Sequence, residues 1–329
     1  MTKARPTIEE VARRAGVSPA TVSRVLNGTA RVSREKVRVV LEAVEALGYT
    51  PSPLAQSLAR GRSYALGILL PDFESPFYSP ILQALAHRLE ATPFRPVAVP
   101  GHWSLARELE ALDFLKAQRV EALILLGATV DGAPLEALGV PVVAFGERVG
   151  ERVFSLLLDN REAAYRATRY LLAKGHTRIA HVSSHRGHAD IRERLLGYRR
   201  AMREAGLEAR VVYGDLTEAG GYRAGKEPFA RFPDTTAVFA ANDQTAIGLR
   251  LFLYEAGLSV PEDVSLVGFD DIPLAAYQTP PLTTVRQPAR AIGEVLAEAA
   301  LAVLEGREPL LPKLELFLVE RRSVGEVGG

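Results

Sequence analysis

From Ala65 onward, apolar runs of strand length alternate with longer amphipathic runs of helical period. Strands are predicted at 65–71, 95–99, 120–126, 141–145, 154–159, 178–183, 210–214, 237–241 and 264–269, and helices at 76–91, 104–117, 161–174, 190–205, 219–230 and 243–256. Such alternation indicates parallel sheets covered by helices on both faces. The length of this region predicts two sheets, with ligands bound beyond the carboxyl ends of the strands.

The composition narrows the class of protein. The chain has 329 residues, of which 47% are hydrophobic and 24% charged, so two or three compact soluble units are expected. It contains no cysteine, which excludes disulfides and thiolate metal sites. Met1–Pro6 precede a charged amphipathic stretch, and no apolar run approaches the about 18 residues of a membrane span. We therefore expect a cytoplasmic protein.

The charge of the chain is asymmetric. Residues 1–62 contain 11 Lys/Arg and 5 Asp/Glu, a balance of +6, so the rest of the chain carries −5 of the net +1. A basic end of this kind attracts a polyanion through contacts to phosphate. The alternative is a solvated basic surface.

The same basic end has the pattern of a helix-turn-helix. An apolar stripe in one helix faces a stripe in the next, and Gly16 permits the sharp turn between them. The stripes are Ile8, Val11, Ala12 and Ala15, then Val22, Val25 and Leu26. Ser18 is a predicted N-cap before Pro19, and a third helix is predicted from Ser33 to Leu47. A helical bundle without a DNA contact would carry similar stripes, but it would not need this turn, cap and basic excess together.

The stretch Thr7–Gly28, with Val32-Ser33, Gly48-Tyr49 and Pro51, resembles the head of the LacI/GalR family of bacterial regulators. The resemblance implies that the second helix enters the major groove and reads bases with Pro19, Ala20 and Arg24. Arg24 can bind guanine in a bidentate manner, worth roughly 1–3 kcal/mol of discrimination, whereas Ala20 can only touch a thymine methyl. The neighbouring polar residues are interpreted as phosphate contacts: Thr7, Ser18, Thr21, Ser23, Asn27 and Ser33.

A linker follows the head. Prolines break the chain at 50–53, and the two turns that follow are too short to form a stable helix alone. The segment 52–61 resembles the hinge helix of the same family, which implies that Leu58 inserts as an apolar wedge into the minor groove of the operator. The alternative is that Leu54 and Leu58 dock on the core.

Several later motifs extend the resemblance over essentially the whole chain. They are Asp159-Asn160, Gly175-His176, Arg194 to Tyr198, Ala241 to Gln244, Gly268 to Asp271 and Pro281 to Val285. Together they imply a periplasmic-binding-protein-like core of two Rossmann-like lobes with a ligand in the cleft. The expected domains are the all-α head at 1–50, the hinge at 51–62 and the α/β core at 63–329. Lobe 1 is expected at about 63–159 and 288–314, and lobe 2 at about 160–287 and 315–325.

Three polar residues are candidates for binding a small effector. Asn242 and Asp270 each end an apolar strand, and Arg194 can supply a donor fork opposite them. This set suits a polyhydroxylated ligand, although a strand-end carboxylate or amide can instead cap a neighbouring helix. Phe77 and Tyr78 are candidates for aromatic walls of the cleft, with core packing as the alternative.

The effector class stays open at this point. The polar candidates favour a sugar, with a purine or nucleoside as the alternative. The segment 185–190 lacks the ring-stacking aromatic residue expected of a purine-responsive member, and this departure leaves the identity of the effector open. His185 and His188 are spaced for a metal, but no further ligands accompany them, and we expect neither a metal nor a cofactor.

The resemblance favours a homodimeric repressor that reads a near-palindromic operator. No leucine heptad follows residue 323, so no tetramerisation tail is expected, and dimer is favoured over tetramer. The usual catalytic signatures, G-x-S-x-G, the Walker A loop, H-E-x-x-H and G-x-G-x-x-G, are absent, so no enzymatic activity is expected. The remaining alternatives are a sugar- or nucleoside-processing enzyme and an architectural protein that bends DNA.

Overall fold

The computed structural model describes residues 6–27, 32–49, 62–150, 153–184 and 189–327. The chain divides into two compact units, Met1–Tyr64 and Ala65–Gly329. The predicted hinge helix with its Leu58 lies outside the described residues, and so do His185 and His188.

In its described part, the first unit contains α1 (Ile8–Ala15), α2 (Pro19–Asn27) and α3 (Arg34–Leu47). α1 begins with a capping box: the Thr7 hydroxyl accepts a hydrogen bond from the Glu10 N–H (3.3 Å), and the Glu10 carboxylate accepts one from the Thr7 N–H (2.8 Å). Gly16 ends α1 with a φ of 65°, a left-handed conformation that glycine adopts without strain. The turn before α2 is therefore set by its sequence.

The three helices of the first unit enclose a small apolar core. Val11 of α1, Val22 of α2 and Val40 of α3 are fully buried. The remaining residues of both predicted stripes pack against them. This packing confirms the helix-turn-helix, because burial of one face of α2 leaves its other side exposed.

The first lobe of the second unit is built on parallel strands. These are β1 (Ala65–Leu70), β2 (Arg95–Pro100), β3 (Ala122–Leu126), β4 (Val142–Phe145) and β5 (Val153–Leu156). They form one sheet in the order β2-β1-β3-β4-β5. The connecting helices are α4 (Tyr78–Leu89), α5 (Leu105–Ala117) and the short α6 (Ala133–Glu136). β3 is buried throughout, as expected for a strand covered on both faces.

The second lobe repeats the arrangement. Its strands are β6 (Ile179–Ser184), β7 (Arg210–Gly214), β8 (Ala237–Ala240) and β9 (Ser265–Val267), and they pair in parallel in the order β7-β6-β8-β9. Its helices are α7 (Asn160–Ala173), α8 (Ala189–Glu204), α9 (Glu218–Arg231) and α10 (Asp243–Glu255). The two parallel α/β sheets predicted from the alternation are confirmed.

The chain passes between the lobes in its later part. After β10 (Thr284–Arg286), residues 287–288 lead to α11 (Ala289–Leu304), which packs on α4, β3 and β4 of the first lobe. Residues 305–316 then return to β11 (Phe317–Val319), which pairs antiparallel with β10. An earlier crossing, residues 157–159, follows β5. The lobes are therefore linked by the segments 157–159, 287–288 and 305–316.

Several predicted strands are shorter than expected. The strand predicted at 154–159 ends at Leu156, because the Asp159 carboxylate accepts from the Glu162 N–H (3.1 Å) and caps α7 instead. The strand predicted at 264–269 covers only Ser265–Val267. No helix in the described ranges combines the length and the apolarity that a membrane crossing requires.

Helices α7 and α8 approach closely at Gly197. A Cβ atom there would lie 2.2 Å from the Arg161 carbonyl oxygen of α7. Only glycine permits this separation, so the position fixes how α8 lies on α7.

We expect Gly197→Ala to lower the free energy of unfolding of the second unit by roughly 1–3 kcal/mol, although alanine is the better helix former. Urea unfolding followed by circular dichroism measures the change. Arg199→Ala, an exposed position on the same helix, is the control and should change stability by less than about 0.5 kcal/mol. An unchanged midpoint for Gly197→Ala would contradict the close contact.

Candidate functional site

A cavity of about 250 Å³ opens between the two lobes of the second unit. Its walls are the segments that follow β1, β2, β3 and β4 in the first lobe and β6, β7, β8 and β9 in the second. The location is therefore the carboxyl edge of both parallel sheets, where ligands of open α/β sheets bind. Its lining includes all five residues predicted from the sequence to contact an effector: Phe77, Tyr78, Arg194, Asn242 and Asp270.

Arg194 lies at the base of the cavity and is only 4% exposed. Its Nε donates to the Asn160 amide oxygen (2.9 Å), and its Nη1 donates to the Ala241 carbonyl (2.6 Å). The same Nη1 is 3.4 Å from Asp270 Oδ1, and the guanidinium lies 3.8 Å above the Phe269 ring. Phe269 therefore supports the cation from below and does not line the cavity.

Asp270 connects the cavity to the crossing at 287–288. Its Oδ1 accepts from Gln287 Nε2 (2.7 Å), and its backbone N–H donates to the Val285 carbonyl (2.8 Å). Its φ is 115°, a conformation rare outside glycine and held here by those neighbours. Burial raises the pKa of Asp270 to about 6, although Arg194 and Gln287 both favour the carboxylate.

Asn242 takes the capping role that the sequence left as an alternative. Its Oδ1 accepts from the Thr245 N–H (2.9 Å) at the start of α10, and its Nδ2 donates to the Leu216 carbonyl (2.9 Å). Both halves of the amide thus have protein partners, while the residue still lines the cavity. The next residue, Asp243, is fully buried and accepts from the Ile272 N–H (2.9 Å) and the Thr284 hydroxyl (2.5 Å).

The predicted aromatic residues combine core packing with a place in the cavity wall. Phe77 contacts Tyr78 edge to face, with ring centroids 5.2 Å apart, and also packs near Phe145 (6.2 Å). Tyr78 lies 6.3 Å from Trp103, centroid to centroid. Burial and the nearby carboxylates of Asp190 and Asp270 raise the pKa of the Tyr78 hydroxyl, which therefore stays protonated and can donate a hydrogen bond.

Sequence reasoning missed Asp190 as a site residue. Its Oδ1 accepts from Asn160 Nδ2 (2.9 Å), which joins it to Arg194 through one amide. Burial raises its pKa to about 7; Glu147 and Asp270 add to the increase, and Arg194 opposes it. A sequence signal did exist, because Asp190 and Arg194 are four residues apart on α8 and so share one helix face.

Trp103 was also missed. It is the one tryptophan of the chain and lines the cavity just after β2. Because β2 was predicted correctly, a large aromatic residue beyond its carboxyl end was the available signal.

The two lobes also meet beside the cavity. A Cβ atom at Gly146 of the first lobe would lie 2.9 Å from Asp190 Oδ2 of the second, so a side chain at this position would displace Asp190. Arg192 forms an ion pair across the same boundary with Glu147 (3.3 Å). The start of α8 thus contacts the first lobe and also lines the cavity.

The head presents several of the residues predicted to contact DNA. Pro19, Ala20 and Arg24 are exposed on α2. The Ser18 hydroxyl accepts from the Thr21 N–H (3.2 Å) and lies 3.0 Å from the Thr21 hydroxyl, so both residues help to start α2. Thr7 acts in the capping box of α1, whereas Ser33 precedes α3 without a capping hydrogen bond.

Two further predicted DNA contacts, Ser23 and Asn27, also lie on α2. Ser23 is partly buried on α2, and Asn27 ends that helix. In the described ranges, no group of three or more His, Asp or Glu side chains is arranged to hold a metal ion.

Comparison with known proteins identifies the family. Residues 7–52 match the family model described as "Bacterial regulatory proteins, lacI family", and residues 168–324 match that of a "Periplasmic binding protein-like domain". The HTH-type transcriptional regulator GalR of Escherichia coli (strain K12) is 35% identical over 328 residues, covering 97% of this chain and 95% of GalR. The chain belongs to the lacI family of bacterial regulatory proteins.

Solved structures agree with this assignment. A complex of the transcriptional regulator CelR with cellobiose covers 97% of the chain and 100% of CelR, at 34% identity and a TM-score of 0.73. A lac repressor dimer bound to operator and the anti-inducer ONPF covers 98% of the chain and 99% of the repressor, at 28% identity and a TM-score of 0.83. The lacI-family chain thus has the fold of a DNA-binding transcriptional regulator, with a helix-turn-helix head and a two-lobe periplasmic-binding-like core.

The raised pKa of Asp190 predicts a pH-dependent effect of Asp190→Asn. The ionised Asp190 carboxylate destabilises the folded chain, and this effect is complete above about pH 7. Below about pH 4 the effect is absent, because Asp190 is protonated in both the folded and the unfolded chain. We expect the substitution to raise stability at pH 8 by on the order of 1–2 kcal/mol after allowance for solvent in the open cavity. The gain should vanish near pH 4.

Thermal unfolding between pH 4 and 8 measures this effect. Asp113→Asn, the same change at an exposed position on α5, is the control and should give a small difference that does not depend on pH. A gain for Asp190→Asn that is constant with pH would contradict the assignment.

Proposed function

We propose that this chain is a transcriptional repressor whose operator affinity is controlled by a sugar bound in the cavity. The observation that carries the proposal is the lining: one guanidinium, several carboxylates and amides, and the aromatic faces of Tyr78 and Trp103. Sugars offer hydroxyl groups to such donors and acceptors and apolar ring faces to aromatic residues. A similar regulator, CelR, has been solved with cellobiose, which supports a sugar over a purine.

The DNA-binding half of the proposal rests on the head. Residues 1–50 would bind the operator and 51–62 would form the hinge, with α2 in the major groove and Leu58 as the wedge. The exposure of Pro19, Ala20 and Arg24 supports this role for α2. The similar lac repressor is a dimer on its operator, so we also propose a homodimer and a near-palindromic site.

A route from effector to hinge follows from the contacts at the base of the cavity. Arg194 contacts Asn160, which follows the crossing at 157–159, and Asp270, which is bonded to Gln287 of the crossing at 287–288. A ligand that bonds to Arg194 and Asp270 therefore acts beside two of the segments that join the lobes. Differential binding to two lobe orientations would shift their populations and with them the operator affinity.

The proposal does not include catalysis. The described lining contains no histidine, lysine or cysteine, and Arg194 and Asn242 are held by protein partners. A binding role needs only this fixed arrangement. Turnover of any sugar or nucleoside by the purified chain would contradict the proposal.

We expect Asp270→Asn to weaken the effector response, shifting it to higher effector concentration, while operator binding persists. The substitution keeps an oxygen for Gln287 but removes the charge that faces Arg194 and the ligand, so effector affinity should fall by about tenfold or more. A thermal-shift screen of sugars, purines and nucleosides finds the effector, and fluorescence anisotropy on an operator selected from random DNA measures the response.

Asp113→Asn is the matched control for this experiment and should respond as the unaltered chain does. A full response in Asp270→Asn would contradict the assigned site. Binding of purines but not sugars would replace the sugar with the alternative effector.

We expect Arg24→Ala to relax base preference at one position of each half-site, with a loss of roughly 1–3 kcal/mol on the best sequence. Binding to a library of operator variants measures the preference at each position. Arg38→Ala, an exposed basic residue on α3, is the control and should leave the preferences unchanged. Unchanged preferences in Arg24→Ala would refute base reading, and even protection of random DNA in footprinting would favour an architectural protein.

A further inference from the structure

The described lining of the cavity has an excess of negative charge. Seven of its described lining residues are Asp or Glu, and Arg194 is the single Lys or Arg among them. Ion pairs offset three of these carboxylates: Asp270 pairs with Arg194 (3.4 Å), Glu147 with Arg192 (3.3 Å) and Asp215 with Arg223 (2.5 Å). The charge that remains opposes a negatively charged ligand, because screening is weak in a partly enclosed site.

Arg194 is poorly placed to bind a phosphate or a carboxylate of a ligand. Its Nε and Nη1 donate to Asn160 and to the Ala241 carbonyl, and Asp270 lies beside Nη1. One face of the guanidinium lies on Phe269. An anion would have to compete with Asp270 for the cation, whereas a neutral hydroxyl can accept from Arg194 or donate to Asp270 without that competition.

The helix N-termini around the cavity already have acidic side chains of the protein beside them. A helix N-terminus attracts anions through its free N–H groups and its dipole. However, α8, α9 and α10 carry the chain's own carboxylates in their first turns: Asp190, Glu218 and Asp243. The Thr217 hydroxyl and the Asn242 amide cap α9 and α10 as well. The helix N-termini that would attract a ligand phosphate thus already face protein carboxylates.

Asp190 is the carboxylate best placed to act on the ligand. Its Oδ1 is bonded to Asn160, and its Oδ2 points toward Gly146 of the first lobe, so it lies where the lobes meet across the cavity. A ligand held between the lobes must pass close to it.

We propose that the cavity accepts an uncharged, polyhydroxylated ligand and rejects its phosphorylated counterpart, and that Asp190 is a main determinant of this selection. The inference rests on the proposed sugar-responsive function and adds to it the charge class of the effector. In the bound state Asp190 accepts a hydrogen bond from a ligand hydroxyl, whereas the carboxylate repels a phosphate group, which is mostly doubly charged at neutral pH.

The test is isothermal titration of the full chain with matched sugars at constant ionic strength. The probes are glucose and glucose 6-phosphate, galactose and galactose 6-phosphate, and ribose and ribose 5-phosphate. In every pair whose neutral member binds, we expect the phosphorylated member to bind at least about tenfold more weakly. Equal or tighter binding of a phosphorylated member would overturn the proposal.

The variant Asp190→Asn tests the role of the residue. It should reduce the affinity ratio of neutral to phosphorylated sugar by about threefold or more, while Asp113→Asn should leave the ratio unchanged. An unchanged ratio in Asp190→Asn would overturn the assignment to Asp190. Binding of a neutral sugar that leaves operator affinity unchanged would instead contradict the proposed function, and the charge selection of the cavity would stand without it.

Discussion

A buried guanidinium must find partners or destabilise the fold by several kcal/mol. Arg194 finds them in three separate parts of the second unit: the start of α7, the end of β8 and the segment after β9. Since two of these partners, Asn160 and Asp270, adjoin the crossings between the lobes, charge compensation also fixes the base of the cavity. The geometry of the cavity thus depends on satisfying this one cation.

The same arrangement explains why the site is suited to sensing. Asp190 and Asp270 are held near Arg194, and burial raises the pKa of both carboxyl groups toward neutrality. A raised pKa means that the protein alone stabilises the ionised carboxylates poorly. A ligand that donates hydrogen bonds to these carboxylates stabilises them further. We propose that a bound sugar makes these hydrogen bonds more favourably in one orientation of the lobes than in another, and so stabilises that orientation.

The sequence predicted the fold well because its signals are local. The alternation of apolar and amphipathic runs follows directly from burial on both faces of a sheet, and Gly16 and the Thr7 cap define the turn and start of the head helices. The boundary at Leu156 was missed because the Asp159 cap competes with strand extension. The antiparallel pairing of β10 with β11 could not be predicted from local sequence patterns, because it joins segments about thirty residues apart.

The cavity was predicted in part. Arg194 and Asp270 were identified because polar residues at strand ends and helix starts lie at the ligand edge of the fold. Asp190 was missed because its role depends on Asn160 and Gly146, which approach it from distant parts of the sequence. The prediction for Asn242 split between capping and ligand contact for a physical reason: the residue both caps α10 and lines the cavity.

The central claim is that ligand in the cavity and operator at the head are thermodynamically coupled. It is tested by measuring operator affinity of the full chain at rising effector concentration and effector affinity with and without saturating operator. The account predicts that the two affinities change by the same factor, typically about 5- to 150-fold. An operator dissociation constant that stays constant up to saturation of the cavity would contradict it.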